Sequence, residues 1–239
     1  MSYLGSKAAS GVYQKIIAEM PPHDTYIETH LGSGAVMFFK PPAMRNYGAD
    51  LDELARVKTL QRWVDKGMTP PRLDFFHGDA VHFLESLVRP GALNGSNGFE
   101  KLGRVLIYCD PPYLPATRTS RARYRFEYTV DDHVRLLKCL KTLPENVNVI
   151  LSGYPSELYD SMLPDWRSRE FQAMTRGGVR TEKIWMNFAE GKAYTHAFAG
   201  KDYNDRARIK RKVARWRDKF AALPPAERLA IMTALCEVE

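Results

Sequence analysis

Arg104-Val105-Leu106-Ile107-Tyr108-Cys109-Asp110-Pro111-Pro112-Tyr113 decides the fold. Five successive apolar residues, Val105 to Cys109, bounded by a proline turn, read as a buried strand of an open α/β sheet. Asp110 then falls at the carboxyl end of that strand, where such sheets present their chemistry. The two prolines fix φ and donate no amide hydrogen, so the rim carries an acidic acceptor, a bare carbonyl and an aromatic ring. This set suits a flat heterocycle with an exocyclic amine. A proline turn that only ends a strand is the alternative. The buried strand before it and the acid favour chemistry.

Upstream, Val12, Tyr13, Ile16, Ile17 and Met20 repeat at helical spacing until Pro21-Pro22 stops them. A strand reads from Thr25 to Leu31 and runs into Gly32-Ser33-Gly34-Ala35, followed by a short helix over Val36 to Phe39. A second strand ends at Gly48-Ala49-Asp50. A helix follows, with Leu54, Val57, Leu60 and Trp63 as its expected buried face. The third strand, Leu73 to His77, ends at Gly78-Asp79, and a helix over Ala80 to Val88 precedes a Gly/Asn/Ser-rich loop, Pro90 to Gly98.

Downstream, Thr129-Val130-Asp131-Asp132 resembles a capping box before a helix with Val134, Leu137 and Leu140 as its stripe. A strand follows over Val147 to Leu151. Arg167 to Met174 and Glu182 to Phe188 both read as strands, separated by too few residues for a crossover helix, so they form an antiparallel hairpin. The expectation is α/β: a Rossmann-like, seven-stranded, mostly parallel sheet with right-handed crossovers and a terminal antiparallel hairpin. Residues 1–190 are the catalytic domain, and residues 191–239 a basic helical extension.

Length and charge bound the function. At 239 residues, 44% hydrophobic and 26% charged, the chain holds one sizeable core plus an appendage. A formal charge of +7 points to an anionic partner, nucleic acid being the economical choice. Three widely spaced cysteines, Cys109, Cys139 and Cys236, indicate neither a disulfide framework nor a zinc site, and fit a reducing, cytoplasmic setting. The first residues carry no apolar signal core, and no apolar run reaches membrane-spanning length, so a soluble protein is expected.

Glu28, Asp50 and Asp79 fall in or at the ends of the first three strands, around the Gly32-Ser33-Gly34 turn. Glycines there let backbone approach a ligand, and an acid at the next strand end accepts hydrogen bonds from ribose hydroxyls, which implies a nucleoside cofactor. Position 37 is Met, so the longer dinucleotide fingerprint is absent. Singly, Asp50 and Asp79 read more readily as strand-end turn residues; together, at successive strand ends beside a glycine turn, they favour a site.

These segments resemble the DNA adenine methylase family, S-adenosylmethionine-dependent enzymes that methylate the exocyclic amine of adenine. The matching residues are Tyr3-Leu4-Gly5-Ser6-Lys7, Tyr26-Ile27-Glu28 through Gly32-Ser33-Gly34-Ala35, Ala49-Asp50, Gly78-Asp79, Asp110-Pro111-Pro112-Tyr113, Leu151-Ser152-Gly153-Tyr154 and Glu182 to Asn187. The resemblance implies catalysis by Asp110, Pro111, Pro112 and Tyr113, without a metal, Tyr113 stacking on the base. It implies a cofactor pocket of Tyr3, Lys7, Glu28, His30, Gly32, Ser33, Gly34, Asp50, Asp79 and Asp110. Asp50 would meet the ribose and Asp79 the adenine amine. The chain departs from the family at Thr29-His30, where Pro-Phe is usual. It also has only about 30 residues between Asp79 and Asp110, where well-known members carry a large recognition domain, as in a phage-type member with reduced recognition.

Two basic segments are candidates for DNA contact. The first, in the loop over 114–128, holds Arg118, Arg121, Arg123 and Arg125 with Tyr124, Phe126 and Tyr128. The second is a helix from Arg206 to Arg217 carrying Lys210, Arg211 and Lys212, with Ile209, Val213, Trp216 and Phe220 as a docking stripe. A short helix with a Leu229, Met232 and Leu235 face follows Pro224-Pro225. The expected partner is double-stranded DNA, in a setting of restriction with a cognate nuclease, phage modification or chromosomal regulation. Methylation of RNA or of cytosine's exocyclic amine, and a catalytically silent nucleic-acid-binding protein, are the alternatives.

Overall fold

The computed structural model describes residues 7–8, 11–88, 98–118, 124–175, 178–195, 197–200 and 202–237. The chain divides into two compact units, Met1–Thr195 and His196–Glu239. In the first, strands β1 (Thr25–Glu28), β2 (Arg45–Asp50), β3 (Asp74–His77), β4 (Val105–Cys109) and β5 (Val147–Gly153) pair in parallel. Strands β6 (Arg167–Thr175) and β7 (Gly178–Met186) form a hairpin whose second strand runs antiparallel to β5. The order across the sheet is β3-β2-β1-β4-β5-β7-β6.

Central placement explains the composition of β4. All five of its residues are buried; Val105, Ile107 and Cys109 pack among Ile27, Val149 and Leu151 of the neighbouring strands and Leu136, Leu137 and Leu140 of a covering helix. Each such aliphatic side chain contributes about 1.5–3 kcal/mol relative to exposure. Glu28 pairs with Tyr108 and Cys109 with Leu151, so the carboxyl ends of β1, β4 and β5 align and bring Glu28 and Asp110 to one rim.

Helices α1 (Val12–Ala18), α2 (Ala35–Phe39), α3 (Leu54–Val64), α4 (Ala80–Val88), α5 (Val130–Lys141) and α6 (Glu157–Met162) accompany the sheet. The α5 capping box forms as read: Thr129 accepts the Asp132 amide at 3.2 Å, and Asp132 accepts the Thr129 amide at 2.9 Å.

Several sequence expectations need correction. The first strand ends at Glu28, because the chain turns there toward Gly32 instead of continuing to Leu31. The buried face of α3 is Ala55, Thr59 and Trp63, whereas Val57 is 60% exposed. Residues spaced by three drift around a helix of 3.6 residues per turn, while spacing by four stays closer to one face. On α5 the buried set is His133, Leu136, Leu137, Cys139 and Leu140, with Val134 only half-buried. The hairpin is tighter than read, Thr175 pairing with Gly178, and its second strand starts four residues before Glu182 and ends at Met186, short of Phe188. Helix α6 was not anticipated, being six residues long with no apolar repeat.

The second unit holds α7 (Tyr203–Ala221) and α8 (Pro225–Cys236). Asp202 caps α7 by accepting the Asp205 amide at 2.8 Å. Within this unit neither helix buries a side chain against the other, and Trp216 is 63% exposed. Among the described residues no helix is long and apolar enough to cross a membrane.

Candidate active site

A cleft of about 1170 Å³ opens at the carboxyl ends of the parallel strands. It is lined by Gly32 and Ser33 after β1, Asp50 and Asp52 after β2, Gly78 after β3, and Asp110, Pro111 and Pro112 after β4. The turn after β1 is held by Asp50. Gly32, at φ 50°, donates its amide to Asp50 Oδ2 at 2.7 Å, and Asp52 donates its amide to Oδ1 at 2.7 Å. Burial raises the Asp50 carboxyl above its ordinary range despite these two amides.

The expected cofactor residues divide into three groups. Lys7, Glu28, His30, Gly32, Ser33, Asp50 and Asp110 all line the cleft. Gly34 instead serves helix packing: at φ 57° it starts α2, and a Cβ there would fall 2.3 Å from Thr59 Cγ2 on α3. Asp79 is also turned to structure. Its carboxylate caps α4 through the His82 amide at 2.9 Å and pairs with Arg135 at 2.7 Å, and it is not among the residues lining the cleft. Tyr3 lies outside the described residues.

His30 is a neutral, hydrogen-bonded wall residue. Burial pushes its imidazole down to about 3, and its nitrogens meet Thr29 Oγ1 and the Tyr128 hydroxyl, each at 2.9 Å. Glu28 accepts from the Tyr26 hydroxyl at 3.0 Å and the Met37 amide at 3.1 Å. Burial pushes its carboxyl from 4.5 up to about 8. The folded chain therefore keeps a proton that the unfolded chain releases, so this contribution is full below about 4.5 and is lost as pH rises through about 8. Glu28→Gln keeps an acceptor for both donors and removes the titration. Its melting temperature relative to wild type is expected to rise between pH 5 and pH 8.5; parallel melting curves across that range would contradict the assignment.

The Asp110-Pro111-Pro112-Tyr113 segment is organised around Lys7. Its ammonium, 5% exposed, donates to Asp110 Oδ1 at 2.7 Å and Oδ2 at 2.9 Å and to the Tyr113 hydroxyl. Burial alone would lower the Lys7 pKa, but the charges of Asp110 and Glu182 reverse this and hold it above its ordinary value. Burial pushes the Asp110 carboxyl up to about 6, with Lys7 opposing that rise and Glu182 adding to it. Tyr113 does not present an open face. It is 5% exposed, Lys7 sits 4.7 Å from its ring centroid, and the Tyr154 ring meets it edge-on at 4.5 Å. The face on which a base was expected to stack is thus covered.

Sequence reading missed Asp52 and Glu182 as site residues. Asp52 joins the Leu54 amide at 3.1 Å, Lys58 at 2.7 Å and Arg125 at 2.9 Å. Glu182 accepts from the Tyr113 hydroxyl at 2.7 Å. Two arginines expected to meet phosphate are paired inside the chain: Arg125 with Asp52, and Arg118 with Glu127 at 2.7 Å. Glu127 also accepts the Tyr124 amide at 2.6 Å, and Tyr124, Arg125 and Phe126 form part of the cleft wall. Arg121 and Arg123 lie outside the described residues, whereas Lys210, Arg211 and Lys212 are exposed on α7.

No family model matches the chain. A 121-residue stretch, 49% of the chain, is 25% identical to the type II methyltransferase M1.LlaDCHI of Lactococcus lactis subsp. cremoris. That stretch spans 40% of the relative's length. Among solved structures, SMU.776, described as a methyltransferase and solved in complex with SAH, superposes with a TM-score of 0.50 at 15% identity, over 73% of this chain and 47% of its own. TrmN from Thermus thermophilus gives a TM-score of 0.45 at 17% identity, over 73% of this chain and 47% of that one. The chain has the Rossmann-like α/β fold found in S-adenosylmethionine-dependent methyltransferases.

Proposed function

We propose that this chain transfers a methyl group from S-adenosylmethionine to the exocyclic amine of adenine in duplex DNA. One observation carries the reading: the Asp110 carboxylate, at the end of β4 and followed by Pro111-Pro112, opens on the same cleft as the Gly32 turn and Asp50. The Gly32-Ser33 turn lines the cleft together with Asp50 at the neighbouring strand end, which supports a nucleoside ligand there. S-adenosylmethionine, when bound, supplies a methyl group on a sulfonium that is already a good leaving group.

The protein's task is to orient a poor nucleophile. Adenine's amine delocalises its lone pair into the ring, so Asp110 and the Pro111 carbonyl are assigned to accept its two hydrogens and align it. A carboxylate offers about four acceptor sites, of which Lys7 takes two, leaving capacity for the amine. As positive charge develops on the amine, these acceptors stabilise it more than in the ground state, which is the condition for rate enhancement. The base must leave the duplex to reach them, and Tyr124, in the cleft wall, is the ring assigned to face it.

Competition between duplex DNA and RNA of the same sequence for a labelled methyl group tests the substrate assignment; preferential labelling of the RNA would replace it. The exposed basic face of α7 is assigned to the DNA backbone. Charge reversal at Lys210, Arg211 and Lys212 is expected to weaken duplex binding and to flatten the slope of log K against log salt by roughly three units. Fluorescence anisotropy at several salt concentrations reads this, and an unchanged slope would remove α7 from the interface.

A further inference from the structure

We propose that Glu182 is a positioning residue of the transfer site, holding Tyr113 and setting the charge balance around Asp110 through Lys7. The proposal deepens the methyl-transfer reading and rests on it. Strand β7 carries Glu182 to within 4.0 Å of the Lys7 ammonium, and the Tyr113 hydroxyl donates to Glu182 Oε2 at 2.7 Å. Lys7 spends its three hydrogens on the two Asp110 oxygens and the Tyr113 hydroxyl. A continuous chain results, from Asp110 through Lys7 and Tyr113 to Glu182.

The second acid needs a reason. Lys7 already balances Asp110, and a neutral amide at position 182 would hold the Tyr113 hydroxyl equally well. Burying another carboxylate, 8% exposed, is costly unless the charge is used. The adjacent Lys183 does not neutralise it. Strand alternation directs that side chain elsewhere, to Asp160 at 2.7 Å. With both acids ionised, Asp110, Lys7 and Glu182 sum to one negative charge, which favours positive charge accumulating on an amine held by Asp110. The other titratable groups that interact with Asp110 are Tyr108 and Cys109 on β4, Glu28 on β1, Tyr124, Tyr154 and Tyr159.

The test is made first on the ligand-free full chain. Aspartate labelled with carbon-13 at the side-chain carboxyl is titrated by NMR, and Asp110 is assigned by the signal lost in Asp110→Asn. In Glu182→Gln, which keeps an acceptor for Tyr113, the Asp110 midpoint is expected to fall by roughly one pH unit. Glu182→Asp, which keeps the charge but withdraws it by one methylene, is expected to lower the midpoint less, and decides the matter if the Gln variant does not fold. The acid limb of the methyl-transfer rate should move down in step. An unmoved midpoint in a folded variant overturns the proposal. A wild type that methylates no nucleic acid overturns the methyl-transfer reading instead, and the titration separates the two failures.

Discussion

Asp110→Ala is expected to lower methyl transfer by about 10²- to 10³-fold while cofactor affinity changes little. Removing one preorganised group that meets developing charge typically costs 10²- to 10³-fold, and Asp110 is assigned one of the two hydrogens of the reacting amine. Cofactor affinity is retained because Asp50, Asp52, Gly32 and Ser33 line the cleft independently of it. The fold is retained because Lys7 keeps the Tyr113 hydroxyl and has Glu182 at 4.0 Å. Single-turnover rates beside calorimetric cofactor titration separate the two effects. Equal losses in both would make Asp110 a binding residue, not a catalytic one.

Lys7→Met is expected to destabilise the protein by about 3 kcal/mol at pH 7.5, because it strips the ammonium from buried Asp110 and leaves Glu182 without its cation. The loss should shrink in acid. With Lys7 present the folded Asp110 carboxyl sits near about 6 against 3.8 for the free group, so its stabilising protonation is full below about 3.8 and is lost as pH rises through about 6. Without Lys7 the folded value moves higher still, so the difference between wild type and variant opens above pH 6 and narrows toward pH 5. Urea unfolding at pH 5 and pH 7.5 measures this. An equal loss at both would show that Lys7 acts through packing and not through charge.

The fold was legible where one signal dominated. Val105 to Cys109 is apolar at every position because β4 is covered on both faces, and Gly32 and Asp50 sit at adjacent strand ends where parallel pairing brings them together. The face of α3 was misread because Leu54, Val57, Leu60 and Trp63 look like a stripe in a list but wind around the helix. The resemblance placed Lys7 and Asp110 in one pocket, but their ion pair and that of Arg125 with Asp52 were not legible, since the partners are 103 and 73 positions apart. Such contacts are products of topology. Glu182 did carry a signal: an acid opening the buried half of β7, where carboxylates are seldom found unless paired. Gly34 and Asp79 show the converse, since a glycine before a helix and an acid after a strand serve packing and capping as readily as ligands.

The most direct measurement is methyl transfer from labelled S-adenosylmethionine to unmethylated duplex DNA by the wild type and Asp110→Ala, with the modified nucleoside identified by mass spectrometry. Methylated adenine from the wild type, and none from the variant, is the predicted result. Methylated cytosine, no methylated nucleoside from the wild type, or equal product from both proteins would contradict the account.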